Sequence, residues 1–97
     1  MPRAVAISPR ARLQLMDTLA YLNSRSPTAG KRFTERLEAT YRQLSDFPLS
    51  GARGATSGTR RLVVASYVLT YRELPAGIEI ADIRHGRQRE TSLPADT

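Results

Sequence analysis

His85 is the only histidine of the chain and lies at the end of an apolar run, in the stretch IRHGRQRE at residues 83 to 90. An imidazole changes its charge near neutral pH, so it can accept or donate a proton during catalysis. Arg84, Arg87 and Arg89 surround it, and guanidinium groups stabilise negative charge that develops on phosphate. Together, these residue types are suited to the cleavage of RNA by general acid–base catalysis.

RNA cleavage also needs a second proton-transfer group, and the sequence identifies none beside His85. Glu73 and Glu79 flank the turn signal PAG, and the tyrosines are spread along the chain. A lone histidine without a partner is more simply the polar end of a strand, which is the role we favour. The catalytic alternative would combine His85 with Arg60, Arg61 or Arg84.

Positive charge is the strongest global signal in the composition. Fifteen Lys and Arg residues against nine Asp and Glu residues give a net charge of +6. Such a field attracts nucleic acid, acidic protein segments or anionic membranes, and charge alone does not choose among them. The arginines predicted to contact an acidic partner or target are Arg60, Arg61, Arg72, Arg84, Arg87 and Arg89. The competing interpretation is a solvated surface with scattered ion pairs.

Several other kinds of chemistry find little support in the sequence. The chain has no cysteine and one histidine, and its carboxylates are scattered, so we predict neither a metal site nor a disulfide. It has no glycine-rich phosphate loop, and we expect no cofactor. No apolar run approaches the length of a membrane span, and the N-terminus lacks the core of a secretory signal, so we expect a cytoplasmic protein without a membrane partner.

Two serine–proline pairs predict the starts of two helices. Ser8 with Pro9, and Ser26 with Pro27, each combine a good N-cap with a proline that loses no hydrogen bond in the first turn. Apolar residues follow at helical spacing after each pair, and the second helix should end before Pro48. The few residues NSRS between them predict an antiparallel helical hairpin.

Strand patterns precede and follow the helices. RAVAIS near the N-terminus predicts a short strand, and TRRLVVA, SYVLTYREL and GIEIADIR predict three consecutive antiparallel strands. In the last of these, Ala81 and Ile83 fall out of step with Ile78 and Ile80, which indicates a bulge or burial on both faces. The stretch PLSGARGATSG, residues 48 to 58, predicts a mobile loop.

The predicted fold class is α+β. The order β-α-α-β-β-β places a helical hairpin on a small, mostly antiparallel sheet. Ninety-seven residues suit one domain spanning residues 1–97. We expect a flexible tail from about residue 90 to residue 97.

The order of these motifs resembles the RelE/ParE superfamily, the toxins of bacterial type II toxin–antitoxin modules. The resemblance covers about residues 4 to 89 and rests on ISPRARLQL, YLNSRSPTAGKRF, LSDFPLSG, GTRRLVVASYVLTYR and IEIADIRHGRQ. No single motif is diagnostic, but the order and spacing are fairly specific. SPTAGKRF and HGRQ are more similar to the ParE branch, whose members are also known as plasmid stabilisation proteins.

The resemblance implies a growth-inhibiting toxin neutralised by a cognate antitoxin, ParD-like or of another acidic family. The ParE branch implies inhibition of DNA gyrase, and hence of replication, without a nuclease site. The RelE branch implies cleavage of mRNA on the ribosome, with basic sheet residues and usually a tyrosine near the C-terminus. Here no tyrosine follows Tyr71 and no lysine follows Lys31. The gyrase inhibitor is therefore the leading hypothesis, the mRNA endonuclease the second, and an inert relic or binding module the third.

Overall fold

The computed structural model describes residues 2–87. Its elements, in chain order, are β1 (Val5–Ile7), α1 (Pro9–Arg25), α2 (Pro27–Asp46), β2 (Ala52–Arg53), β3 (Thr59–Val64), β4 (Tyr67–Leu74) and β5 (Gly77–His85). The strands form one sheet in the order β1-β5-β4-β3-β2, in which only β1 and β5 are parallel. The predicted α+β class and the order of the predicted elements are confirmed. The short strand β2 is an addition inside the predicted loop.

The two serine–proline pairs start the helices as predicted. Ser8 Oγ accepts from the N–H of Ala11 at 3.1 Å, and Ser26 Oγ accepts from the N–H of Thr28 at 3.2 Å. Ser26 also donates its own N–H to the carbonyl of Leu22 at 2.9 Å, so it ends α1 and begins α2. The connection is therefore one residue, shorter than the predicted NSRS, because α1 continues through Arg25.

The core lies between the helices and one face of the sheet. Phe33, Leu37 and Leu44 of α2 are buried there, with Leu69 and Tyr71 of β4. The side chains of α1 that join this core are mostly half-buried. The opposite side of the sheet, here called the outer sheet face, carries the residues that alternate with the buried ones.

The predicted irregularity of β5 is a bulge. Tyr71 pairs with Ile80, whereas the preceding Thr70 pairs with Asp82, so Ala81 has no partner of its own on β4. The extra residue shifts the alternation by one position, which lets Ile80 and Ile83 both be buried against the helices.

Candidate interaction surfaces and cleft

The outer sheet face carries three cross-strand rows of side chains. They are Thr59, Arg72 and Glu79; Arg61, Thr70 and Asp82; and Val63, Val68 and Arg84. The third row begins with two adjacent valines, of which Val63 is 71% exposed, and ends with Arg84. Arg61 is exposed in the adjacent row. This face therefore combines an apolar strip with cationic side chains on neighbouring strands.

Two of the predicted arginines are engaged in the fold itself. Arg72 forms an ion pair with Glu79 at 2.9 Å, and its side chain is only 12% exposed. Arg60 points away from the outer sheet face, because its register partner on β4 is the buried Tyr71. Its guanidinium donates to the carbonyls of Gly51 at 2.9 Å and Leu49 at 3.4 Å. These contacts give both arginines a role in holding the sheet and its loop.

His85 lies at the end of β5 opposite Tyr67. The two rings meet edge to face with centroids 5.3 Å apart, and His85 Nδ1 accepts from the backbone N–H of Arg87 at 3.1 Å. The predicted strand-end position is thus confirmed. The predicted contact residue Arg89, like the tail from residue 90, lies outside the described residues.

A cleft of about 640 Å³ separates α1 from the end of β5. It lies along β5 beyond Ile80, where β1 no longer covers the strand. Among its lining residues are His85 and Arg84 from β5, Tyr67 from β4, and Arg10, Asp17 and Tyr21 from α1. The structure therefore brings two carboxylates, those of Asp17 and Asp82, and two phenols to the same cleft as the imidazole, which the sequence did not identify.

The spacing of polar residues in α1 is a sequence signal for the helical wall of this cleft. Arg10, Gln14, Asp17 and Tyr21 recur at intervals of four, three and four residues, which places polar side chains along one helix face. The apolar residues of α1 alone do not predict this wall. The polar stripe next to the predicted core marks the face of α1 that turns to β5.

Gln14 and Asp82 form the floor of the cleft. Gln14 Nε2 donates to Asp82 Oδ1 at 2.8 Å, and Gln14 Oε1 accepts from the N–H of Ile83 at 2.8 Å. Asp82 is buried and also pairs with Arg10 at 3.2 Å. This network gives hydrogen-bond and ion-pair partners to the buried carboxylate of Asp82. It also gives an acceptor to the backbone N–H of Ile83 at the edge of β5.

Tyr67 enters the cleft as a neutral phenol. Burial raises its pKa above the ordinary value of 10.0, and the nearby Tyr21 adds to the increase. At neutral pH it is therefore a hydrogen-bonding group and a wall for His85, but not a base.

Of the three arginines that the catalytic alternative combined with His85, Arg84 shares its cleft, whereas Arg60 and Arg61 lie elsewhere. His85 and Arg84 both border the cleft, whereas Arg60 pairs with Tyr71, four residues along β4 from Tyr67 and so about 13 Å away by strand geometry. Arg61 lies on β3 and projects to the outer sheet face. Any chemistry in the cleft would have to use Arg10 and Arg84 as its cations.

Within residues 2–87, no group of three His, Asp or Glu side chains is placed to hold a metal ion. Neither helix of this part of the chain is long and apolar enough to cross a membrane.

The fold is shared with a solved toxin–antitoxin structure. The chain resembles a chain of the chromosomal ParDE TA system from P. aeruginosa, with a TM-score of 0.70 over 86% of this chain and 95% of that chain. Sequence identity is 16%, so this likeness establishes the fold alone.

The chain is also similar in sequence to proteins that are named as toxins. Toxin RelE3 of Caulobacter vibrioides is 33% identical over 91 residues, which cover 90% of this chain and 98% of that toxin. Y4kP of Sinorhizobium fredii, named as a candidate toxin, is 32% identical over 82 residues, which cover 82% and 84%. These relatives place the chain in a class of bacterial toxins.

The model of the ParE toxin family, the toxin of the type II system parDE, matches residues 5–90. The chain belongs to the ParE toxin family. The superfamily and the branch predicted from the sequence are therefore confirmed, and membership of a toxin–antitoxin module implies an antitoxin partner.

Proposed function

We propose that this toxin acts by binding a protein target, DNA gyrase, in the cytoplasm, and that an acidic, ParD-like antitoxin holds it inactive. The observation that carries the proposal is that two of the three arginines offered as partners of His85, Arg60 and Arg61, do not converge on it, although Arg84 lines the same cleft. Arg60 is engaged with loop carbonyls, Arg61 projects to the outer sheet face, and His85 packs edge to face against Tyr67. A binding function requires no such convergence, whereas acid–base catalysis does.

The outer sheet face supports binding to an acidic, amphipathic segment. Val63 and Val68 form an apolar strip across β3 and β4, and positive charge lies next to it from Arg61 on β3 and Arg84 on β5. A partner with apolar residues in its centre and carboxylates at its edges would be complementary to it. An antitoxin that is largely disordered when free could cover this face while folding on it.

Purified toxin tests the gyrase proposal directly. We expect it to inhibit supercoiling of relaxed plasmid by DNA gyrase, and we expect added antitoxin to restore the activity. Induced expression without the antitoxin should arrest growth with filamentation and DNA-damage signalling. Unimpaired supercoiling at toxin concentrations well above the toxic range would contradict the proposal.

Cleavage of mRNA on the ribosome is the second candidate, and the cleft favours it. Tyr67 packs against His85 and Asp17 lines the same cleft, so both are groups there that can hold or transfer a proton, and Arg10 and Arg84 could stabilise charge on phosphate. Mapping mRNA 5′ ends after induction separates the two candidates. Codon-phased cuts that disappear in both His85→Ala and Asp17→Asn, but persist in the outer-face variant Arg61→Ala, would establish the endonuclease. Harmless expression would support the inert relic or binding module instead.

A further inference from the structure

A β-turn at Phe47–Ser50, between α2 and β2, presents two large apolar side chains to solvent. Phe47 is 66% exposed and Leu49 is 61% exposed. The turn is closed by the N–H of Ser50, which donates to the carbonyl of Phe47 at 3.1 Å, and Pro48 occupies the position that β-turns favour for proline. Single exposed apolar residues are common, but a pair in one turn forms a patch.

The backbone of this turn is fixed by the core. Tyr71 Oη donates to the carbonyl of Pro48 at 2.8 Å and accepts from the N–H of Gly51 at 2.9 Å. Arg60 Nη1 donates to the carbonyl of Gly51 at 2.9 Å. The predicted mobile loop is thus tied down at its first residues. A partner that docks there orders little additional backbone, so more of the contact energy appears as affinity.

Positive charge borders the patch. Leu49 lines the same surface depression as Arg53 and Arg60, together with Glu73. Glu73 pairs with Arg3 at 3.0 Å, and the chain as a whole carries a net charge of +6. The complementary ligand therefore has an apolar side chain next to carboxylates.

We propose that the Phe47–Ser50 turn is a docking site for an acidic segment of the antitoxin, which packs an apolar side chain against Phe47 and Leu49 and places a carboxylate near Arg53. The identity of the partner rests on the proposed function. The site is separate from the outer sheet face, because Arg60 beside it points to the opposite side of the sheet. A disordered segment that folds on binding can reach both surfaces, since such segments wrap large areas.

The test compares two double variants with equally exposed positions. Phe47→Ala with Leu49→Ala removes the patch, and Leu13→Ala with Met16→Ala removes apolar residues that are 64% and 60% exposed on α1. Calorimetric titration with the antitoxin encoded beside this toxin gives the dissociation constants, and thermal unfolding confirms that each variant is folded. We expect the turn variant to bind about 30-fold or more weakly, and the α1 variant to stay within about twofold of wild type.

The results separate this proposal from the one it rests on. If wild-type toxin binds the antitoxin and the turn variant binds equally well, the docking site is refuted while the antitoxin partner stands. Equal weakening by both double variants would also refute it, because the effect would not be specific to the turn. If wild-type toxin does not bind that antitoxin, the proposed partner itself is wrong.

Discussion

Replacing Tyr71 with phenylalanine removes one hydroxyl from the centre of the molecule. The ring is fully buried, and phenylalanine fills the same volume, so no large cavity forms. The hydroxyl accepts from the N–H of Gly51 at 2.9 Å and donates to the carbonyl of Pro48 at 2.8 Å. The substitution therefore tests the two hydrogen bonds that attach the turn to the core.

The two lost bonds have unequal costs. Gly51 is buried, so its N–H would be left without a partner, which costs about 1–3 kcal/mol. The Pro48 carbonyl belongs to a half-buried residue and can exchange the hydroxyl for water at little cost. Arg60 still holds the Gly51 carbonyl, so the loop cannot easily move to relieve the N–H. We expect Tyr71→Phe to lower the free energy of unfolding by about 1–3 kcal/mol.

Urea denaturation of the purified toxin measures this loss, and each kcal/mol should lower the melting temperature by about 4–8 °C in a domain of this size. Tyr41→Phe is the matched control, because the Tyr41 hydroxyl makes no hydrogen bond within residues 2–87. We expect it to change stability by no more than about 0.5 kcal/mol. Equal stability of the two variants would refute the role given to the Tyr71 hydroxyl.

Substitutions at three further positions test other parts of the fold. Gln14→Ala should lower the free energy of unfolding, measured with denaturant, by about 1–3 kcal/mol, because the Ile83 N–H at the cleft loses its acceptor. Unchanged stability would show that water replaces the side chain. Ser26→Ala should cost about 0.5–2 kcal/mol through the lost N-cap of α2, and Ser26→Gly should recover most of it in thermal melts. Burial raises the pKa of Tyr67 in the folded state above the ordinary value of 10.0, which applies to the unfolded chain. The neutral phenol therefore contributes its full stability below pH 10.0, and that contribution is lost as pH rises through the folded-state pKa. The fall in unfolding free energy above that pH should be shallower in Tyr67→Phe, and identical profiles would argue against burial as the cause.

Local sequence signals predicted the parts of this fold that local chemistry determines. A serine and a proline suffice to begin each helix, because capping involves residues only two or three positions apart. The bulge in β5 was visible for a similar reason, since one inserted residue reverses the alternation of every side chain after it. The shortened connection at Ser26 was missed because the residues before it have no helix-stopping signal strong enough to end α1.

The cleft and the fixed turn depend on contacts between distant parts of the chain, which local patterns do not contain. Gln14 meets Ile83 across 69 positions, and Tyr71 meets Gly51 across 20. The glycine-rich composition of residues 48 to 58 correctly excluded long regular structure there. It could not show that a buried phenol would hold the first residues of that segment in place.

The arginines show why charge alone was a poor guide to recognition in this chain. Arg60 and Arg61 are adjacent, yet strand alternation sends them to opposite sides of the sheet, where Arg60 holds loop carbonyls. Arg72 is also engaged within the fold, through its ion pair with Glu79. Substituting either would disturb packing and binding together, so a loss of antitoxin affinity there would not locate the interface. Arg61 is exposed and shares the outer sheet face with Val63, so we expect Arg61→Ala to change antitoxin affinity if the partner covers that face.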